Sequence, residues 1–227
     1  TVSLEAAEST FEQIVVNATL TDAQSNTYNV QLSGFTTEIT KETVATKLTE
    51  KYPYITLSDN ATLNGSNAAY TYSNKVTLPF KVSSVSDATK TYWHNIYYPS
   101  NGDARNPNYI AALNDEDKVV DMAASPEYAY GENPTYNTKA GNPMISWAIY
   151  SANNSLEFIF KNELTNKYIT VESVVNATGN TQNVKFVENA GDATAFTLLN
   201  DAGSYNGDYA LVAKVGGATG YLCAAFS

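Results

Sequence analysis

The stretch FIFKNELTNKYITVES, residues 158–173, decides the fold because it allows two interpretations. It can form a helix with a charged middle, or two short strands joined by a tight polar turn. Two other segments share its plan, residues 95–113 (NIYYPSNGDARNPNYIAAL) and residues 210–225 (ALVAKVGGATGYLCAA). In the last copy Gly takes the place of Asn in the turn, a change that turns tolerate and helix interiors do not. The repeat therefore predicts a hairpin.

Each copy has an apolar or aromatic strand, a turn rich in Asn, Gly and Thr, and a Tyr that opens the second strand. The three tyrosines are Tyr109, Tyr168 and Tyr221. Two copies are followed by a further apolar strand with a bulky residue, Trp147 or Phe196, that we expect to point inward. Residues 91–227 are thus predicted to form one domain of short strands, with internal repeats.

The composition favours strands along the whole chain. Charged residues make up only 16% of the chain. Tyr alone accounts for 17 of the 227 residues. A chain rich in Tyr, Thr and Val with few strong helix formers suits β-structure. We predict a mainly β protein.

Residues 1–85 are predicted to form a small α+β domain, broadly like a β-grasp. Two β-rich runs precede one amphipathic helix, and two or three strands follow it. Thr40 is the expected N-cap of this helix, Val44 and Leu48 share one face, and Pro53 ends it. The small polar segment at residues 83–90 is interpreted as the linker to the second domain.

The charge balance excludes some partners. The net charge is −10 and the sequence pI is about 4.5. Nucleic acid requires a basic footprint, so we expect no nucleic-acid partner. We also expect no membrane insertion, since no apolar run reaches about 18 residues. The single cysteine, Cys223, cannot form an internal disulfide. The chain opens without a signal segment, so either the protein is cytoplasmic or a leader was removed. The Asn, Thr and Tyr-rich composition with few charges favours the second, an extracellular or cell-surface bacterial protein.

The second half resembles the ricin B-type lectin domain, a β-trefoil. The resemblance rests on the turns LTNKYI and GATGYL and on the closing strands ISW and TAF. Family members close each repeat with Gln-x-Trp, and none of these repeats has that Gln. The resemblance also implies a sugar-gripping Asp near the start of each second strand. Ala111, Thr170 and Cys223 hold that place here, so the family's usual galactose-type site is expected to be absent.

Signals for catalysis or metal binding are weak. His94 is the single histidine, so a catalytic triad or a His-based metal site would need unusual partners. The acids of NDEDK, residues 114–118, fit a solvated turn better than a glycosidase pair. A calcium site using Asp103, Asp115 or Asp201 is a minor alternative. We predict no enzyme activity, no cofactor and no metal.

The predicted function is non-catalytic carbohydrate binding or adhesion, accessory to glycan processing, with a glycan and possible further domains of a longer polypeptide as partners. Aromatic rings and planar amides suit sugars, and a loop rich in Pro, Gly and Asn supplies both. The predicted site residues are Tyr128, Tyr130, Asn133, Tyr136 and Asn137. A structural or protein-interaction spacer is the main alternative, and a glycoside hydrolase is the least favoured.

Overall fold

The computed structural model describes residues 13–66, 69–99, 107–109, 143, 146–174, 184–200 and 209–222. The chain divides into two compact units. Unit 1 comprises Thr1–Phe80 with Asn153–Leu156, and unit 2 comprises Lys81–Ala152 with Glu157–Ser227. Strands dominate both units, so the mainly β prediction is confirmed.

Unit 1 is a mixed sheet with one helix. Its elements are β1 (Val15–Thr21), β2 (Thr27–Leu32), α1 (Lys41–Lys51), β3 (Thr56–Leu57), β4 (Thr62–Ser66) and β5 (Ala69–Thr77). The strand order is β2-β1-β5-β3, and β4 also pairs with β5. β1 is antiparallel to β2 but parallel to β5. The element order is therefore the predicted one of two strands, a helix and three strands.

Helix α1 begins and ends where the sequence predicts. The Thr40 hydroxyl accepts a hydrogen bond from Thr43 N, and the Thr43 hydroxyl accepts one from Thr40 N, which together form a capping box. Val44 and Leu48 are fully buried. The helix stops at Lys51, shortly before Pro53. Local capping and one apolar stripe explain this element.

In the part of unit 2 that the structure describes, most residues lie in short strands. They are β6 (Trp93–Asn95), β7 (Tyr97–Pro99), β8 (Pro107–Tyr109), β9 (Ser146–Ser151), β10 (Phe158–Asn162), β11 (Tyr168–Val171), β12 (Val184–Val187), β13 (Phe196–Asn200), β14 (Tyr209–Val215) and β15 (Ala218–Tyr221). The main sheet runs β12-β11-β10-β13-β14-β15, with β9 pairing to both β10 and β6. β7 and β8 form a separate antiparallel pair.

All three repeated segments form antiparallel hairpins, β7–β8, β10–β11 and β14–β15. The hairpin interpretation of residues 158–173 is therefore confirmed. The turns themselves differ between copies. Asn166 has a φ of 60° in the turn of the second copy, whereas Gly216 and Gly217 (φ 58° and 83°) make a two-residue turn in the third. Two consecutive positive φ values are typical of the tight hairpin turns that glycine favours.

The two predicted inward residues lie in the core of unit 2. Trp147 and Phe196 are both 0% exposed. The Phe196 ring meets Phe160 edge to face at 5.6 Å, and the Trp147 ring stacks on Phe186 at 6.1 Å. Aromatic pairs at these separations add to the stability gained by burial.

Residues 83–90, which we interpreted as a linker, are folded into unit 2. Ser83 is 2% exposed, and its backbone N–H donates to the Ile149 carbonyl at 2.7 Å. Its hydroxyl also accepts a hydrogen bond from Tyr92 N at 2.9 Å. A 3-10 turn follows at Ala88–Lys90 with Asp87 as its N-cap. The linker interpretation rested on small polar residues, and most of residues 85–90 are indeed exposed, but the contacts of Ser83 join the start of the segment to unit 2.

Candidate functional site

The sugar-binding loop predicted from the sequence lies outside the described residues. Tyr128, Tyr130, Asn133, Tyr136 and Asn137 all lie outside the described residues. They stay a prediction.

The same holds for other residues named in the chemical analysis. Ala111, Asp103, Asp115, Asp201 and Cys223 also fall outside the part of the chain that the structure describes. The candidate site is therefore built from the strands of unit 2.

Asn162 organises the turn between β10 and β11. Its side-chain oxygen accepts hydrogen bonds from the backbone N–H groups of Leu164 and Thr165, both at 3.0 Å. Its side-chain nitrogen donates to the carbonyls of Ser146 at 3.2 Å and Pro143 at 3.3 Å. Asn162 is 0% exposed, so these bonds satisfy a fully buried amide. The turn thereby sets which residue of β11 opposes which residue of β10.

The strand register places four residues in one row across the sheet. Trp93 of β6 opposes Ala148 of β9, Ala148 opposes Lys161 of β10, and Lys161 opposes Tyr168 of β11. Directly opposed residues on neighbouring strands point to the same side of a sheet. Residues from four separate strands therefore share one face.

A second row adds another aromatic ring to this face. Tyr150 opposes Ile159, and these residues lie two positions along from Ala148 and Lys161. A two-residue step returns to the same side of a strand. The Tyr150 and Tyr168 rings lie 6.4 Å apart with their planes inclined at 57°. We call the set Trp93, Ala148, Tyr150, Ile159, Lys161 and Tyr168 the aromatic face.

The aromatic face combines a buried floor with an exposed indole. Ala148 and Ile159 are 0% and 5% exposed, whereas Trp93 is 45% exposed. The opposite side of β9 and β10 carries the core residues Trp147 and Phe160. Trp93 therefore presents a large apolar ring to solvent at the edge of an otherwise buried surface.

One cation lies against the rings of this face. The Lys161 ammonium is 5.4 Å from the centre of the Tyr168 ring, within the range of a cation–π contact. Burial raises the pKa of the Tyr168 hydroxyl, with a smaller contribution from Tyr150. Tyr168 therefore stays neutral at physiological pH and offers a hydroxyl that can both donate and accept hydrogen bonds.

Thr170 occupies the place where the resemblance would put a sugar-binding carboxylate. Its hydroxyl lies 3.0 Å from the carbonyl oxygen of Asp192 and 3.3 Å from the hydroxyl of Thr194. Val171 N donates to that Thr194 hydroxyl at 2.7 Å. These contacts tie β11 to the segment before β13, so Thr170 has a structural use in this copy.

His94 also has a structural contact. Its Nε2 is 2.8 Å from the Lys81 carbonyl, and because a carbonyl only accepts, Nε2 carries the proton. Burial lowers the pKa of His94, which favours the neutral ring. His94 opposes Trp147 and therefore lies on the core side of β6, away from its neighbour Trp93.

Two further observations bear on function. Within the described ranges, no group of three or more His, Cys, Asp or Glu residues is placed to hold a metal ion. Among the helices that can be described, none is long and apolar enough to span a membrane.

Sequence reasoning missed Trp93, Tyr150 and Lys161 as site residues. Each lies in a short apolar run whose alternation does not say which side faces the core. Trp93 and Tyr150 are also more than fifty positions apart in the sequence. Their shared face follows from the pairing of β6, β9 and β10, a long-range register that the sequence pattern does not reveal.

Comparisons with protein-family models, with curated proteins and with solved structures found no match to this chain. Its function must therefore be inferred from the aromatic face and from the fold that builds it.

Proposed function

We propose that the chain is a non-catalytic carbohydrate-binding or adhesion module of an extracellular or cell-surface protein, accessory to glycan processing. The observation that carries this proposal is the half-exposed indole of Trp93 on the same face as Tyr150 and Tyr168. Further domains of a longer polypeptide would supply any associated chemistry.

Carbohydrate binding fits the physical character of this face. A sugar ring has apolar C–H groups on its faces and hydroxyls at its edge. It can cover an aromatic ring while its hydroxyls bond to polar groups alongside. Trp93 supplies the exposed ring, whereas the Tyr168 hydroxyl and the Lys161 ammonium supply polar groups in the same row. Large aromatic residues also dominate the energetics of recognition surfaces generally.

A β-trefoil of the ricin B type is the proposed scaffold of unit 2. Three hairpins support it, together with the buried Trp147 and Phe196. The predicted Tyr opens the second strand only in β11, and it is the last residue of β8 and of β15. The structural contacts of Thr170 support a sugar site that differs from the usual one of that family. Fold alone does not establish function, so the proposal depends on the aromatic face.

A glycan array tests the proposal, followed by titration of any hit with wild type and Trp93→Ala. If the indole stacks on sugar, its removal weakens binding at least about tenfold, equivalent to about 1.4 kcal/mol. Tyr221→Ala is the matched control because Tyr221 is an exposed aromatic residue, 57% exposed, on β15. Equal affinities for Trp93→Ala and wild type would show that the aromatic face does not bind the sugar.

A structural or protein-interaction spacer is the second candidate. The burial of Ala148 and Ile159 favours it, because it shows that much of the face already packs within unit 2. The array separates the two candidates, since a spacer gives no hits on a broad panel. A glycoside hydrolase remains the third candidate, and product analysis on the same panel would detect it.

A further inference from the structure

Lys161 of β10 and Lys185 of β12 have different surroundings. Lys185 of β12 forms a salt bridge with Glu172 at 2.6 Å, so its charge is balanced. Among the described residues, no carboxylate forms a salt bridge with Lys161; its ammonium lies against the Tyr168 ring instead. An aromatic ring attracts a cation without neutralising it. No carboxylate among the described residues therefore balances the Lys161 ammonium at the aromatic face.

The row geometry places this charge within reach of a ligand on Trp93. Trp93 and Lys161 are separated by the single strand β9, so their backbones lie roughly 10 Å apart. Ala148, between them, has the smallest side chain of the row and is 0% exposed, so a ligand would lie over the side chains that cover it. A disaccharide stacked on Trp93 and extending along the row above these side chains would bring its ring substituents toward the Lys161 ammonium.

We propose that the aromatic face selects acidic glycans, whose carboxylate or sulfate pairs with Lys161 while a sugar ring stacks on Trp93. The side chain of Lys161 is already held by the Tyr168 ring, which lowers the entropic cost of the ion pair. The chain's net charge of −10 disfavours general attraction of polyanions. A preference for acidic glycans therefore requires a local cation on the binding surface.

This selectivity rests on the proposed carbohydrate-binding function and is tested by matched pairs of glycans. Oligogalacturonate is compared with its methyl ester, and sulfated chondroitin with its desulfated form and with a neutral oligosaccharide. The first pair isolates the carboxylate and the second isolates the sulfate. Affinities are measured by calorimetry at about 50 mM salt, where charge interactions are only weakly screened.

The proposal predicts tighter binding of the acidic member of at least one pair. Lys161→Met retains the apolar stem, and it should lower the ratio of acidic to neutral affinity about two- to fivefold, as for a partly exposed ion pair. Lys161→Arg should restore the ratio. Lys214→Met is the matched control, because Lys214 is an exposed lysine on β14, outside the aromatic face. Thermal unfolding of each variant checks that the fold is intact.

The outcomes separate the selectivity from the function on which it rests. Equal affinity for both members of each pair, with loss of binding in Trp93→Ala, would overturn the selectivity and leave the carbohydrate-binding function standing. A preference for acidic glycans that survives Lys161→Met would also overturn it. No binding to any of these glycans or to the array would reject the proposed function and the selectivity together.

Discussion

Replacing Asn162 with Ala should destabilise unit 2 more than any exposed polar substitution. The change removes the amide that accepts from the N–H groups of Leu164 and Thr165 and donates to the Ser146 carbonyl, at 3.0, 3.0 and 3.2 Å. The side chain is 0% exposed, so water cannot simply replace it. At about 1 kcal/mol for each of these bonds, the free energy of unfolding should fall by about 3 kcal/mol.

Tryptophan fluorescence during urea unfolding measures this loss in unit 2 alone. The chain has two Trp residues, Trp93 and Trp147, and both belong to unit 2. Trp147 also opposes Asn162 directly, so its emission reports the unfolding of this region. With a denaturant slope of about 2 kcal/mol per molar urea, the midpoint should move down by about 1.5 M.

Asn189→Ala is the control for this experiment. Asn189 is exposed and its side chain makes one hydrogen bond to Asp192 at 3.2 Å. Its loss should change the free energy of unfolding by less than about 0.5 kcal/mol. If Asn162→Ala shifts the midpoint no further than Asn189→Ala, the turn does not depend on the buried amide and the reasoning fails.

Three further predictions concern unit 1. Thr40→Ala removes the N-cap of α1 and should lower the free energy of unfolding by about 1 kcal/mol, whereas alanine at the exposed helix position Thr46 should be tolerated. Thermal unfolding followed by circular dichroism compares the two variants, and equal melting temperatures would contradict the capping role. Gly65 has a φ of +130°, and a Cβ there would clash with the backbone of the paired strand β5. Gly65→Ala should therefore lower the free energy of unfolding by more than about 2 kcal/mol, whereas Gly191→Ala, whose Cβ would meet open space, is the control. A melting temperature for Gly65→Ala equal to that of Gly191→Ala would refute this. Burial raises the pKa of Tyr28, so the unfolded state ionises first and stability should fall as pH rises above about 10. That fall should be smaller in Tyr28→Phe, and the same alkaline slope in both proteins would count against it.

Much of the fold follows from short-range chemistry. A hydroxyl at Thr40 and apolar residues four apart at Val44 and Leu48 are enough to place α1, because capping and side-chain stripes act within a few residues. The hairpin of residues 158–173 was predictable for the same reason. Its turn uses Asn162 and Asn166, residue types that bond to nearby backbone or adopt a positive φ.

The candidate site was not predictable in this way. Tyr168 was recognised only as the residue that opens a strand, and Trp93 and Lys161 did not stand out. Their common face arises when β6, β9, β10 and β11 pair in one register. A shift of one residue in any pairing would send these side chains to opposite sides of the sheet.

The sequence by itself determined the mainly β class, the position of α1, and the hairpins of the repeat, since composition, caps and turns act locally. Tertiary structure decided the parallel pairing of β1 with β5, the folding of residues 83–90 into unit 2, and the assembly of the aromatic face. These features depend on contacts between residues far apart in the chain. Such contacts form only when strands find their partners, and the energy that selects those partners comes from the buried core rather than from any one segment.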